Sequence, residues 1–311
     1  MKLALRIEVN TLRGLHHGVP ALVKLLRQHG ASASFFFNVG PDTSGRQLRA
    51  LLARTPDDRK SRGWIARQWG PRALFSGSLM PATDLGGDTG ADAMRTVRDA
   101  GHECGLLAWD HTAWQRRAAG ADAAWTLAEL ERGHQRFGEI FGEPPRAWAA
   151  PGWQMNIHAW RLTQRLGLAY ASCTRGADPF IPLHRAEIIA CPQVPVTLPR
   201  LDELIGRDGV SVESSSGRLA RRIAEAAAPM HVYAARAEFE GIGLLPQFGE
   251  LLEAARALGY ELRSLAELVA GLEIRRLPRC TVDLGTVEGV PYPVTVQGPE
   301  FLAHPALPLR V

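Results

Sequence analysis

"KLALRIEVN" (residues 2–10), "GVPALVKLLRQHG" (18–30) and "ASASFFFNVG" (31–40) follow one another at the start of the chain, and their order decides the fold. The outer two are short apolar runs of strand length. The middle one places Val19, Leu22, Val23, Leu25 and Leu26 at helical spacing and closes on Gly30, a helix stop. A strand, a helix and a second strand in succession form a βαβ unit, which predicts a parallel sheet covered by helices.

The pattern repeats along the chain. "MRTVRDAGHECGLLAWDH" (94–111) passes from helix to strand, a longer helix is expected from about 121 to 141, and "GEPPRAWAAPGW" (142–153) turns at its prolines into a short strand. A helix near 156–166 leads to "AYASCT" (169–174), and the apolar "IIACPQVPVTLP" (188–199) reads as a further strand. Helices near 217–228 and 245–258 alternate with "MHVYAARAEFEG" (230–241) and "YELRSLAELV" (260–269). Such alternation over this length predicts an α/β fold, a distorted (β/α) barrel spanning 1–272, with 42–90 as an insertion. Residues 273–311 form a β-like, Pro-rich extension expected to cap the domain or to offer strand edges to a partner.

The chain has 311 residues, 46% of them hydrophobic, enough for a sizeable core. No leader and no apolar run of membrane-spanning length is read, so a cytoplasmic protein is expected, touching a membrane only peripherally, on the cytoplasmic face of the inner membrane. Cys104, Cys173, Cys191 and Cys280 are widely spaced with no CxxC pair, which argues for reduced thiols rather than a zinc knuckle or a disulfide framework. A net charge of +4 and a pI near 9.1 suit an anionic partner. Nucleic acid is disfavoured, since the basic residues are scattered and carry no recognised motif. The insertion combines Trp64, Trp69, Phe75, Met80 and arginines, which suits either a packed helical insertion or a membrane interface.

"GVPALVKLLRQHGASASFFFNVGPD", "GLLAWDHTAWQ", "SCTRGADPFIPL", "VPVTLPRLDELIGRD" and "AEFEG" resemble the polysaccharide deacetylase (NodB-homology) family, most closely its 4-deoxy-4-formamido-L-arabinose-phosphoundecaprenol deformylase branch. The resemblance runs from about Leu3 to Val269. It implies a site in which a divalent metal on one aspartate and two histidines activates water, an aspartate acts as base, and a late histidine protonates the leaving amine.

In that frame the base position is Glu8, whose extra methylene displaces the carboxylate, and the metal positions are Asn10, Leu107 and His111. Leucine offers no donor atom and asparagine only a neutral oxygen, so no metal and no other cofactor is expected. With its co-ligands absent, His111 reads better as a hydrogen-bonded core histidine. The acid position is Arg236, which gives up no proton near neutrality. Gln154 stands where an orienting arginine is implied and Cys173 where an aspartate is; with Arg175 and Arg207 they are the candidate substrate-binding residues. Trp109, Trp114, Pro151, Gly152, Trp153, Gly176 and Pro182 match the family around this altered centre.

Loss of the ionic centre with retention of the scaffold points to a catalytically inactive member. The expected partners are an active homologue in a heteromer or an undecaprenyl-phosphate-linked amino sugar that is bound without hydrolysis. The alternative is an active metal-dependent deformylase or deacetylase. Glu8 and Arg236 are expected to form an ion pair where the metal would sit, with Asn10 bonded to one of them.

Overall fold

The protein is described by a computed structural model, which covers residues 1–46, 75–77 and 80–301. Trp64, Trp69 and most of the 42–90 insertion lie outside the described residues.

Seven parallel strands form the main sheet: β1 (Lys2–Val9), β2 (Ser34–Asn38), β3 (Glu103–Ala108), β4 (Ala147–Trp148), β5 (Tyr170–Ala171), β8 (Met230–Arg236) and β9 (Glu261–Arg263). Their order is β5-β4-β3-β2-β1-β8, with β9 beside the first residues of β1. The helices of the βαβ repeats are α1 (Val19–Gln28), α2 (Asp88–Asp99), α3 (His111–Arg117), α4 (Ala123–Phe141) and α5 (Ile157–Arg165). They are followed by α6 (Leu201–Leu204), α7 (Ser215–Ala226), α8 (Leu245–Ala257) and α9 (Leu265–Ala270).

Alternation along β1 divides the core in two. Leu3, Leu5, Ile7 and Val9 join Phe35, Phe37 and the helices in the outer layer. Ala4 faces inward, where it joins Phe36, Leu107, Trp153, Tyr170, Val194 and Val232 in a second cluster. Arg6 and Glu8 continue that inward face of β1.

The stretch 188–199 departs from the strand expected of it. Only Glu187–Ile188 is regular, as β7, and pairs antiparallel with β6 (Ile181–His184). Residues 192–198 nevertheless occupy a strand's place. Val194 N donates to Ala171 O (2.8 Å) on one side, while Thr197 N donates to Val232 O (3.1 Å) on the other, joining β5 to β8. Pro192, Pro195 and Pro199 lack the N–H a regular ladder needs, so this closing segment is irregular.

The C-terminal extension forms β10 (Arg279–Gly285) and β11 (Val294–Glu300), which build a second sheet of order β11-β10-β6-β7. Its outer edge is not free for a partner along its whole length: Arg175 N donates to Thr295 O (3.0 Å) and Gln297 N donates to Arg175 O (2.8 Å). The loop between β10 and β11 bends back over the barrel, where Gly289 (φ +86°) packs against Glu203 too closely to admit a side chain.

Candidate functional site

Parallel strands deliver their C-terminal ends to one side of a barrel, where sites form. Glu8 and Leu107 are the penultimate residues of β1 and β3, Arg236 ends β8, and His111 opens α3 just beyond β3. The fold therefore assembles at one end the positions implied by the sequence, although few of the expected contacts form.

Glu8 and Arg236 are register partners on adjacent strands. Their side chains diverge, and the expected ion pair between them is not made. Glu8 pairs instead with Arg6, two residues back on the same strand face. Arg6 is fully buried; its Nη1 also donates to Ser172 O (2.6 Å) and Oγ (3.1 Å), and the guanidinium lies between the Phe36 and Trp153 rings. Arg236 pairs with Asp202 of α6 and covers the Phe239 ring at 4.0 Å. A nearer opposite charge claimed each group.

Asn10 is bonded to neither. Its Nδ2 donates to Glu238 Oε1 (2.7 Å), and Glu238 is fully buried, its Oε2 without a hydrogen-bond partner among the described residues. Burial pushes the Glu238 carboxyl up to about 7 against the pull of Arg236 and Asn10. Glu240, two residues on, is also pushed up to about 7 by burial and accepts from Tyr233 Oη (2.7 Å) and Arg236 N (2.7 Å).

Leu107 is packed in the apolar barrel interior. His111 is buried, with Nε2 3.3 Å from Thr112 Oγ1 and its backbone N donating to Asn38 Oδ1 (3.0 Å). Burial lowers its pKa despite nearby Asp110, Asp42 and Glu8. Asp110, read from sequence as part of a strand-like segment, is the N-cap of α3, accepting from Thr112 N and Ala113 N. One imidazole, an amide whose nitrogen is turned to a carboxylate, and a leucine do not fit the divalent metal that the resemblance implies. Among the described residues no group of three or more His, Cys, Asp or Glu side chains is placed to hold a metal.

The four candidate substrate-binding residues are placed apart. Gln154 is buried and tied to the C-terminal loop, its Nε2 donating to Pro293 O (2.8 Å). Cys173 lies wholly within the outer core, its thiol pushed up to about 12 by burial, so no ligand in the barrel mouth reaches it. Arg175 is buried as well: it binds Glu203 (3.2 Å) and Leu198 O (3.0 Å) and stacks on Trp153 (4.9 Å). Arg207 is exposed in the turn after α6.

Sequence reasoning passed over Arg6, Arg200, Asp202, Glu203, Glu238 and Tyr292. Arg6 had a signal, a charge two residues from Glu8 inside an otherwise apolar strand. The Tyr292 hydroxyl, 2.6 Å from Gln115 Nε2, is close enough to Arg200, Arg236 and Glu8 to feel their charges. No local pattern announces that a residue of the extension reaches the barrel mouth.

Comparison with known proteins places this geometry in context. Residues 13–171 match the polysaccharide deacetylase family. A probable 4-deoxy-4-formamido-L-arabinose-phosphoundecaprenol deformylase from Shewanella sediminis is 35% identical over 268 residues, 86% of each chain. A protein of the same description from Wigglesworthia glossinidia brevipalpis is 28% identical, covering 89% of this chain and 95% of its own. A putative polysaccharide deacetylase structure from Mycobacterium smegmatis shares the fold, with a TM-score of 0.61 at 16% identity over 92% of this chain and 94% of that one. With the family model matching residues 13–171 and a curated relative 35% identical over 86% of each chain, this chain belongs to the polysaccharide deacetylase family.

Proposed function

We propose that this protein is a non-catalytic member of its family that receives an undecaprenyl-phosphate-linked sugar without hydrolysing it. The ligand class rests on the description of its curated relatives as deformylases of such a sugar. The observation that carries the reading is the packing of Leu107 into the apolar interior at a metal-ligand position. Hydrolysis by this fold needs a Lewis acid, a base and a proton donor. Here the base position is held by Arg6, and the acid position is a guanidinium held by Asp202.

The test is formate release from 4-deoxy-4-formamido-L-arabinose-phosphoundecaprenol with zinc or cobalt supplied, together with elemental analysis of the purified protein. No release above blank and substoichiometric metal are expected. Formate release that disappears in His111→Ala would establish an active deformylase instead.

A second form of the same reading, a subunit beside an intact homologue, is favoured by Ile188, Leu284 and Phe301, large apolar side chains exposed on or beside the C-terminal sheet. Co-expression with an intact homologue and size exclusion tests it; separate elution rules it out.

A further inference from the structure

Arg175, Glu203, Arg200, Asp202 and Arg236 form a ladder of alternating charge beneath Tyr292. Arg175 Nη1 lies 3.2 Å from Glu203 Oε2, Arg200 Nε lies 3.0 Å from Glu203 Oε1 and 3.3 Å from Asp202 Oδ1, and Arg236 pairs with Asp202. All three arginines are more than nine-tenths buried. Three guanidiniums face two carboxylates, leaving one positive charge unbalanced in a region where charge is costly.

Among the described residues no further acid is ion-paired with the ladder. Glu8 is taken by Arg6. Glu238 and Glu240 form no ion pair with Arg236 among the described residues; Glu238 is turned to Asn10 and Glu240 to Tyr233 and the backbone N of Arg236. Burial disfavours the charged form of Arg200, but Asp202 and Glu203 outweigh it and raise its pKa, so the guanidinium is a permanent cation.

The donors are also underused. A guanidinium carries five N–H groups. The terminal nitrogens of Arg200 and Nη1 of Arg236 donate to no described residue, and Arg200 lies over the Trp153 ring at 5.0 Å, which fixes its plane. The Tyr292 hydroxyl receives a hydrogen bond from Gln115 and gives its own proton to no described residue. Two guanidiniums sharing Asp202 thus present unspent donors beside a free phenolic O–H, which suits an oxyanion with two adjacent oxygens.

We infer that Arg200, Arg236 and Tyr292 form a receptor for a single oxyanion, the phosphate or carboxylate group of a sugar ligand. The inference rests on the reading of this pocket as binding rather than hydrolytic, and it specifies the charge that the pocket selects.

The experiment is calorimetric titration of the full chain with inorganic phosphate, D-glucuronate and neutral D-glucose at low ionic strength. One or both anions are expected to bind and glucose not to. Loss of a charged donor in Arg200→Gln is expected to weaken binding by about tenfold or more, and loss of a neutral one in Tyr292→Phe by about fivefold. Should Arg200→Gln fail to fold, Tyr292→Phe decides. Phosphate alone binding assigns the charge to a phosphate group, glucuronate alone to a carboxylate. No anion binding, or binding unchanged in the variants, overturns the inference. Formate release by a protein that binds anions would refute the non-catalytic reading and leave the receptor standing; neither activity would do the reverse.

Discussion

Replacing Glu238 by glutamine converts a buried, titrating acid into a neutral side chain of the same shape. The Glu238 carboxyl rises from an ordinary 4.5 to about 7 in the folded chain, chiefly through burial. The folded state therefore keeps a proton that the unfolded state has lost, so this group's contribution is most favourable below about 4.5 and is lost as pH rises to about 7. At about 1.4 kcal/mol per pKa unit, the ionised form costs the folded state about 3 kcal/mol at pH 8 and about 1 kcal/mol at pH 5. Glu238→Gln removes that dependence while keeping an acceptor for Asn10 Nδ2. Its amide nitrogen takes the place of Oε2, which has no hydrogen-bond partner among the described residues, a difference that does not vary with pH. His102, His111 and His231, whose pKa values burial lowers, titrate alike in both proteins and cancel in the difference. Urea unfolding at pH 5, 6, 7 and 8 should show the variant gaining about 2 kcal/mol on wild type across the series. Parallel stability curves would refute the argument.

Gly18→Ala drives a Cβ into the Ala237 carbonyl, against backbone that cannot swing aside, and should lower stability by about 1–3 kcal/mol or more in the same urea assay. Cys173 and Cys191, buried thiols pushed up to about 12, should resist iodoacetamide at pH 8 in the native chain and react on unfolding, as read by mass spectrometry. Liposomes of anionic lipid should sediment wild type and release Trp64→Ala/Trp69→Ala if the aromatic insertion is a membrane contact; equal pelleting counts against it.

The elements that sequence periodicity announces are those whose stability is local. Leu22 and Leu26 mark α1 through one buried face, and the apolar run of strand length marks β1, which is buried on both faces from Leu3 to Val9. The segment 192–198, read as a strand, takes a strand's place between β5 and β8, but its prolines deny it a regular ladder, which apolar content alone does not reveal. At the site, residue types and strand ends were legible: Glu8, Leu107 and Arg236 lie at or next to the C-terminal ends of β1, β3 and β8. Which charge pairs with which was not. Arg236 selects Asp202 and Glu8 selects Arg6 on side-chain reach among candidates more than thirty residues apart in one case and two apart in the other. Arg175 looked available for a ligand, but only the fold reveals that Glu203 lies within 3.2 Å of it.

The strand order has a consequence for how the protein is made. β1 is made well before two of its neighbours, since Lys2 pairs with Met230 and with Glu261, and Gln154 likewise waits for Pro293 of the extension. At about 5–20 residues per second, translation leaves that first strand without two of its three neighbours for about ten to fifty seconds. Through this interval the nascent chain carries an open strand edge of apolar residues, inviting chaperone capture or misassociation. Translation rate downstream of β5, across the proline cluster 192–199, is therefore expected to affect the yield of native protein. Synonymous changes that slow this stretch should lower the soluble fraction while leaving the purified molecule unaltered.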